Sequence, residues 1–189
     1  MADAANMDIL DVIKDKMNKT LEVLKRELGG LRVGRANPQL LERIMVDYYG
    51  TPTPISQMAN ISVPEPRLLA ISLWDASLLK NVEKAILSSD LGINPSNDGK
   101  VIRLMFPELT EERRKDLVKV GRGKGEESKV ALRAVRREAN ETLAKQKKNN
   151  ELTEDDVKLL EKEIQKLTDD FIKEAEGIVS AKEKEILEI

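Results

Sequence analysis

The sequence predicts an α+β protein: an elongated three-helix bundle with a small, β-rich α/β domain inserted between the first and second bundle helices. Apolar residues recur every three or four positions in one segment near the N-terminus and in two that fill 110–189. All seven prolines, both tyrosines and the single tryptophan fall between these segments, in 34–107. Aromatics make up only 3% of a chain that is 40% hydrophobic, which favours helices packed through Leu, Ile, Val and Ala. The expected division is a bundle domain of 1–30 and 107–189 and an insert of 31–106.

Leu10, Ile13, Met17, Leu21, Leu24, Leu28 and Leu31 mark the first helix, from about Asp8 to Leu28, with Gly29-Gly30 as its stop. In the insert, Ile44–Tyr49, Asn60–Val63, Leu68–Trp74 and Lys100–Phe106 read as strands. Thr51-Pro-Thr-Pro54 and Val63-Pro-Glu-Pro66 are expected to interrupt them. Asp75 can cap a short helix to about Ser89 that buries Leu79, Val82 and Ile86, and Asp98-Gly99 signals a turn. Thr110 is the predicted N-cap of the second long helix, which runs to about Lys148, followed by a turn at Asn149-Asn150. Thr153 and Asp156 form a capping-box variant ahead of the third. Its seam is Val157, Leu160, Ile164, Leu167, Phe171 and Ile178. The chain crosses between domains at Gly30, Leu31, Arg32, Val33 and Gly34, and returns through Met105, Phe106 and Pro107. Both crossings are expected to leave the same end of the bundle, forming an interdomain hinge.

The second long helix carries the most informative feature. At about 100° per residue, Lys115, Lys119, Arg122, Lys129, Arg133, Arg136 and Lys147 share a sector of roughly 100°. Leu117, Val120, Ala131, Val135 and Ala139 are expected on the opposite, core-facing side. Residues 112–150 hold 13 Lys/Arg against 6 Asp/Glu, whereas 151–189 hold 6 against 13. A chain of net charge −2 has thus gathered a basic ridge on one helix, the footprint of phosphate contact. Arginine dominates its centre at Arg133, Arg136 and Arg137, where planar guanidinium donors match phosphate oxygens.

Other chemistry is constrained. With no Cys and no His, thiol nucleophiles, disulfides and imidazole acid–base catalysis are excluded. Gly121-Arg-Gly-Lys-Gly125 lacks the spacing and the preceding strand of a phosphate loop and reads as a glycine-softened stretch of helix. Asp155-Asp156 and Asp169-Asp170 read as helix surface, and Asp47 as strand-edge packing. No metal, cofactor or enzymatic site is expected. No apolar run is long enough for a membrane span, and the N-terminus has no basic signal-like region. A cytoplasmic protein is the expectation.

Five segments carry a resemblance: Arg32-Val-Gly-Arg-Ala-Asn-Pro38, Tyr48-Tyr-Gly-Thr-Pro-Thr-Pro54, Asp90-Leu-Gly-Ile-Asn-Pro95, Leu109-Thr-Glu-Glu-Arg-Arg-Lys115 and Val135-Arg-Arg-Glu-Ala-Asn140. In this order, and over essentially the full chain, they resemble the bacterial ribosome recycling factor family. The resemblance implies a monomer that binds the post-termination ribosome along large-subunit ribosomal RNA. It implies subunit splitting together with elongation factor G and GTP hydrolysis by that factor, and motion of the insert about the joint. It matches Arg133, Arg136 and Arg137 to the family's RNA-contacting arginines, and the ridge adds Arg122 and Lys129. The glycines of 121–125 are the one local departure from the family pattern.

Overall fold

The computed structural model describes residues 2–31 and 34–188, with side chains from Ile9 onward. Arg32 and Val33 of the expected hinge lie outside the described residues. The element order is α1 (Ala2–Gly29), β1 (Met45–Tyr48), β2 (Thr51–Pro54), β3 (Ala59–Glu65), β4 (Leu68–Leu73), α2 (Leu79–Ser88), β5 (Ser96–Asn97), β6 (Val101–Met105), α3 (Glu111–Lys148) and α4 (Glu154–Leu187). This is an α+β chain in two compact units, 1–28 with 116–185 and 29–115 with 186–189. The boundaries expected from the sequence are 30 and 107; in the structure the first turn of α3 groups with the second unit.

The first unit gathers α1 and nearly all of α3 and α4. On α1, Ile13, Met17, Leu21, Leu24 and Leu28 are buried at the predicted spacing, and Leu10 is half-buried. The caps of the long helices also follow the sequence. The Thr110 hydroxyl accepts from the Arg113 N–H at 3.1 Å. Thr153 and Asp156 satisfy each other's backbone N–H groups at 3.1 and 3.2 Å, a reciprocal box that ties down two orphan donors. The α4 seam differs in part. Val157, Leu160, Ile164 and Phe171 are buried, Leu167 and Ile178 only half so, and Thr168 and Ala175 are fully buried instead. The Thr168 hydroxyl donates to the Ile164 carbonyl at 2.7 Å, which satisfies its donor within the helix.

The larger correction concerns α3. Val120 and Ala131, expected inside, are exposed, and Val135 is half-buried. The buried stripe is Leu117, Gly121, Gly125, Ser128, Leu132, Ala139 and Leu143. Gly121 and Gly125 therefore face the interior of an unbroken helix, while Gly123 is exposed. A Cβ on Gly125 would stand 2.6 Å from Val179 Cγ2, so a side chain here would force that valine of α4 to shift. A Cβ on Gly121 would make ordinary contact with Leu28 at 3.7 Å. The expected softened stretch is a packing seam.

The second unit joins a two-stranded hairpin, β1–β2, to a four-stranded antiparallel sheet of order β3-β4-β6-β5. Thr51–Pro54, expected to interrupt strands, is itself a strand paired with β1, and Val63–Glu65 belongs to β3. Prolines are tolerated because both strands are edges with a side that needs no N–H, and β3 shifts register between Ser62 and Glu65. The sheet and α2 share a core that includes Val46, Leu69, Ile71, Val82, Ile86, Ile102, Leu104 and Phe106. Asp75 accepts from the Ser77 N–H, but it caps a short 3-10 turn (Ala76–Leu78) ahead of α2. Asp47 accepts the Gly50 N–H at 2.8 Å across the β1–β2 turn. That turn is Tyr49-Gly50, with φ of +47° and +85°. A left-handed tyrosine costs roughly 1–2 kcal/mol relative to right-handed backbone.

Asp98 organises the β5–β6 turn. Its carboxylate accepts from the N–H groups of Lys100 and Val101 at 3.1 and 2.9 Å and from Arg103 at 3.0 Å, beside Gly99 at φ +97°. The backbone donors, foremost that of Val101, hold its pKa down at about 2. The folded pKa lies below the usual 3.8, so the turn's contribution is complete above pH 4 and is lost as pH falls towards 2. Asp98→Asn should flatten the dependence of stability on pH in that window, read by urea unfolding at stepped pH. An unaltered acid limb would show that the turn has no such role.

The glycines make a paired prediction. Gly123→Ala meets nothing within 4 Å and should stabilise by up to about 1 kcal/mol through helix propensity. Gly125→Ala gains the same propensity, but overpacking against Val179 should outweigh it, with a cost of about 1–3 kcal/mol before that gain. Urea unfolding of both variants measures the contrast.

Candidate nucleic-acid interface

The inward stripe of α3 decides what its basic residues can do. It lies about 60° around the helix from the stripe expected from the sequence, rotated towards the basic side. The ridge is thereby divided. Arg122, Lys129 and Arg136 sit on the flank next to α4 and reach its side chains. Arg122 Nε pairs with Glu183 Oε1 at 2.6 Å. Lys129 Nζ, its side chain only 17% exposed, meets Glu176 at 2.9 Å and Glu126 at 3.2 Å. Hydrogen bonding to Glu183 raises the Arg122 pKa, and hydrogen bonding to Glu176 and then Glu126 raises that of Lys129, so both remain charged. Arg136 is half-buried and donates from Nη1 to Gln165 Oε1 at 3.2 Å. Gln165 donates in turn to Asp169 Oδ1 at 2.8 Å.

Arg133 and Arg137 lie farther out. Both are exposed and form no ion pair among the described residues, and the same holds for Lys119 and Lys147. Three acids of the helix are engaged elsewhere: Glu126 with Lys129, Glu127 with Lys124, and Glu138 with Lys16 of α1. None of these carboxylates pairs with Arg133 or Arg137. Sequence reasoning groups five cations. The structure separates them into two in ion pairs, one held by an amide and two with free guanidinium forks. Sequence reasoning also misses Gln165 and Asp169, whose only signal is their spacing of four on α4.

The hinge residues that can be described lie as follows. Gly30 is exposed in a turn and Leu31 is half-buried. Gly34 is buried at φ +78°, where a Cβ would stand 3.1 Å from Leu109 Cγ. Met105 ends β6 opposite Leu68, and the buried Phe106 donates its N–H to the Arg67 carbonyl at 2.8 Å. Both are knitted into the sheet, leaving exposed Pro107 as the first residue beyond it.

Among the described residues, no cluster of three or more carboxylates has metal-binding geometry, and no helix is long and apolar enough to cross a membrane. The chain thus combines a unit of long helices, with exposed and unpaired arginines on α3, and a unit built on a small antiparallel sheet. Similarity to known proteins identifies the family. The profile of the ribosome recycling factor family matches residues 24–187. The ribosome-recycling factor of Caldicellulosiruptor bescii is 57% identical over 180 residues, covering 95% of this chain and 98% of its own. That of Clostridium novyi is 56% identical over 182 residues, covering 96% and 98%. The solution structure of a ribosome recycling factor superposes with a TM-score of 0.80 at 41% identity, covering 97% of this chain and 98% of that one. A T. thermophilus ribosome recycling factor, bound together with E. coli elongation factor G to the E. coli post-termination complex, gives 0.67 at 48% identity, covering 96% and 98%. The chain belongs to the ribosome recycling factor family.

The division of the ridge has a stability consequence. Lys129→Ala removes a mostly buried stem and unpairs two carboxylates, and should cost roughly 1 kcal/mol. Arg133→Ala should stay within about 0.5 kcal/mol. Chemical denaturation distinguishes them, and equal costs would mean that the two side chains share one environment.

Proposed function

We propose that this chain recycles ribosomes. It binds the post-termination ribosome by laying the outer face of α3 against large-subunit ribosomal RNA. With elongation factor G, and with GTP hydrolysed by that factor, it splits the subunits for a new round of translation. The names of its relatives and the factor-bound post-termination complex of its structural neighbour support this reading. The observation that carries the contact face is the pair of unengaged guanidinium groups at Arg133 and Arg137, beside Arg136 aligned by Gln165. A-form RNA exposes phosphates and 2′-hydroxyls that a straight basic rod can grip by shape.

In this reading α1, α3 and α4 pack as an elongated three-helix bundle of 1–30 and 107–189, and 31–106 is an insert moved about the joint at 30–34 and 105–107. Because Met105 and Phe106 are held in the sheet, rotation on the return side begins at Pro107. The factor acts as a cytoplasmic monomer without a cofactor. It makes no GTPase site of its own, and purified protein should turn over no GTP.

The experiment is polysome breakdown with matched elongation factor G and GTP, alongside ribosome affinity at several salt concentrations. Replacing Arg133 and Arg137 together by Ala should leave the circular dichroism unchanged. Affinity should fall by about 1–3 kcal/mol for each charge-assisted hydrogen bond to phosphate that is removed, and the salt dependence should become less steep. Arg122→Ala should cost less, because its guanidinium is engaged with Glu183. A folded double variant with parental affinity and salt slope would reject the face.

A further inference from the structure

Among the described residues, Arg136 alone of the ridge cations is held by a neutral group. Its Nη1 donates to Gln165 Oε1 at 3.2 Å, whereas Arg122 and Lys129 meet carboxylates directly at 2.6 and 2.9 Å. The amide is itself directed. Gln165 Nε2 donates to Asp169 Oδ1 at 2.8 Å, one turn along α4. A guanidinium can only donate and a carboxylate can only accept, so the amide has one orientation that serves both neighbours.

The charges at the two ends of this chain of bonds are otherwise unspent. Neither Arg136 nor Asp169 forms an ion pair among the described residues, although Lys173 stands one turn beyond Asp169 on the same helix. A carboxylate in direct contact would compete with phosphate for Arg136, as Glu183 does at Arg122. An amide between them changes the effect. Asp169 polarises the amide, which makes Oε1 a better acceptor, and the guanidinium is fixed at one nitrogen. One of its five N–H donors is engaged there, and its charge remains uncancelled by contact.

We propose that Asp169 and Gln165 are positioning residues that hold the Arg136 guanidinium pre-oriented for a phosphate of ribosomal RNA. They act through the bond chain and not by touching the RNA. The proposal rests on the recycling reading, in which α3 meets RNA. Its physical content is entropy: an arginine already ordered before binding loses less rotamer freedom when it docks.

The sign of the Asp169 effect tests it. Affinity for purified ribosomes is measured at several salt concentrations, with circular dichroism as the folding control. Simple Coulomb repulsion between Asp169 and phosphate predicts that Asp169→Ala binds more tightly. The relay predicts the opposite, binding weaker by about three- to tenfold at every salt concentration. The salt slope should stay parental, because no cation is removed, whereas Arg136→Ala should make it less steep. Asp169→Asn keeps an acceptor for Gln165 and should recover most of the affinity. In an Arg136→Ala background, Asp169→Ala should cause no further weakening. Unchanged or tighter binding by Asp169→Ala overturns the proposal, as does equal weakening with and without Arg136. Parental binding by Arg136→Ala overturns it too. If the Arg133 and Arg137 double variant loses affinity while Asp169→Ala does not, the RNA-binding face stands and only the relay fails.

Discussion

The close approach of α3 and α4 at Gly125 is the constraint on which the rest of the first unit depends. With Val179 Cγ2 only 2.6 Å from where a Cβ would stand, the α3 backbone itself forms the packing surface. A helix that presents backbone at one point must turn the same angular face inward along its length. Leu117, Gly121, Ser128, Leu132, Ala139 and Leu143 therefore follow Gly125 into the interior. The rotation brings Arg122 and Lys129 to the carboxylates of Glu183 and Glu176, and Arg136 to the amide of Gln165. Arg133 and Arg137 are left outside. Which cations remain free for a polyanion is thus decided by a glycine that carries no charge.

The electrostatics follow the same geometry. The excess of acids in 151–189 borders the flank of α3, so part of the basic helix is neutralised inside the protein and part is not. Paired surface charges contribute modestly to stability, typically below about 1 kcal/mol, but they remove cations from competition for phosphate. A chain of net charge −2 can in this way keep a cationic face without binding polyanions everywhere.

The helix C-terminal ends and the caps of α3 and α4 are legible in the sequence because they are local, whereas α1 begins at Ala2, ahead of the expected Asp8. The Thr110 cap, the Thr153–Asp156 box and the spacing of Ile13, Met17, Leu21, Leu24 and Leu28 depend on residues within a turn or two. The Asp98-Gly99 turn is legible for the same reason. The inward face of α3 is not, because hydrophobic periodicity gives glycine and serine no weight. It puts Val120 and Ala131 in the core in place of Gly121 and Ser128. Thr168 escapes likewise, since its hydroxyl is satisfied by its own helix. The proline-bearing segments mislead because edge position, which makes Pro52, Pro54 and Pro64 acceptable in strands, is a property of sheet order. For the candidate site, residue type and spacing locate the arginines. Their separation into engaged and free groups requires the α4 partners, about thirty to sixty residues away in sequence.

The central claim is that the outer face of α3, and not α4, meets ribosomal RNA. A chain without cysteine allows one cleavage reagent to be placed at will. Val130 on α3 and Leu159 on α4 are comparably exposed apolar residues, at 62% and 57%, so Cys at either site should leave the fold intact. With a hydroxyl-radical source tethered at each in turn on bound ribosomes, the account predicts strong large-subunit RNA cleavage from position 130 and much weaker cleavage from position 159. Stronger cleavage from position 159 would contradict it.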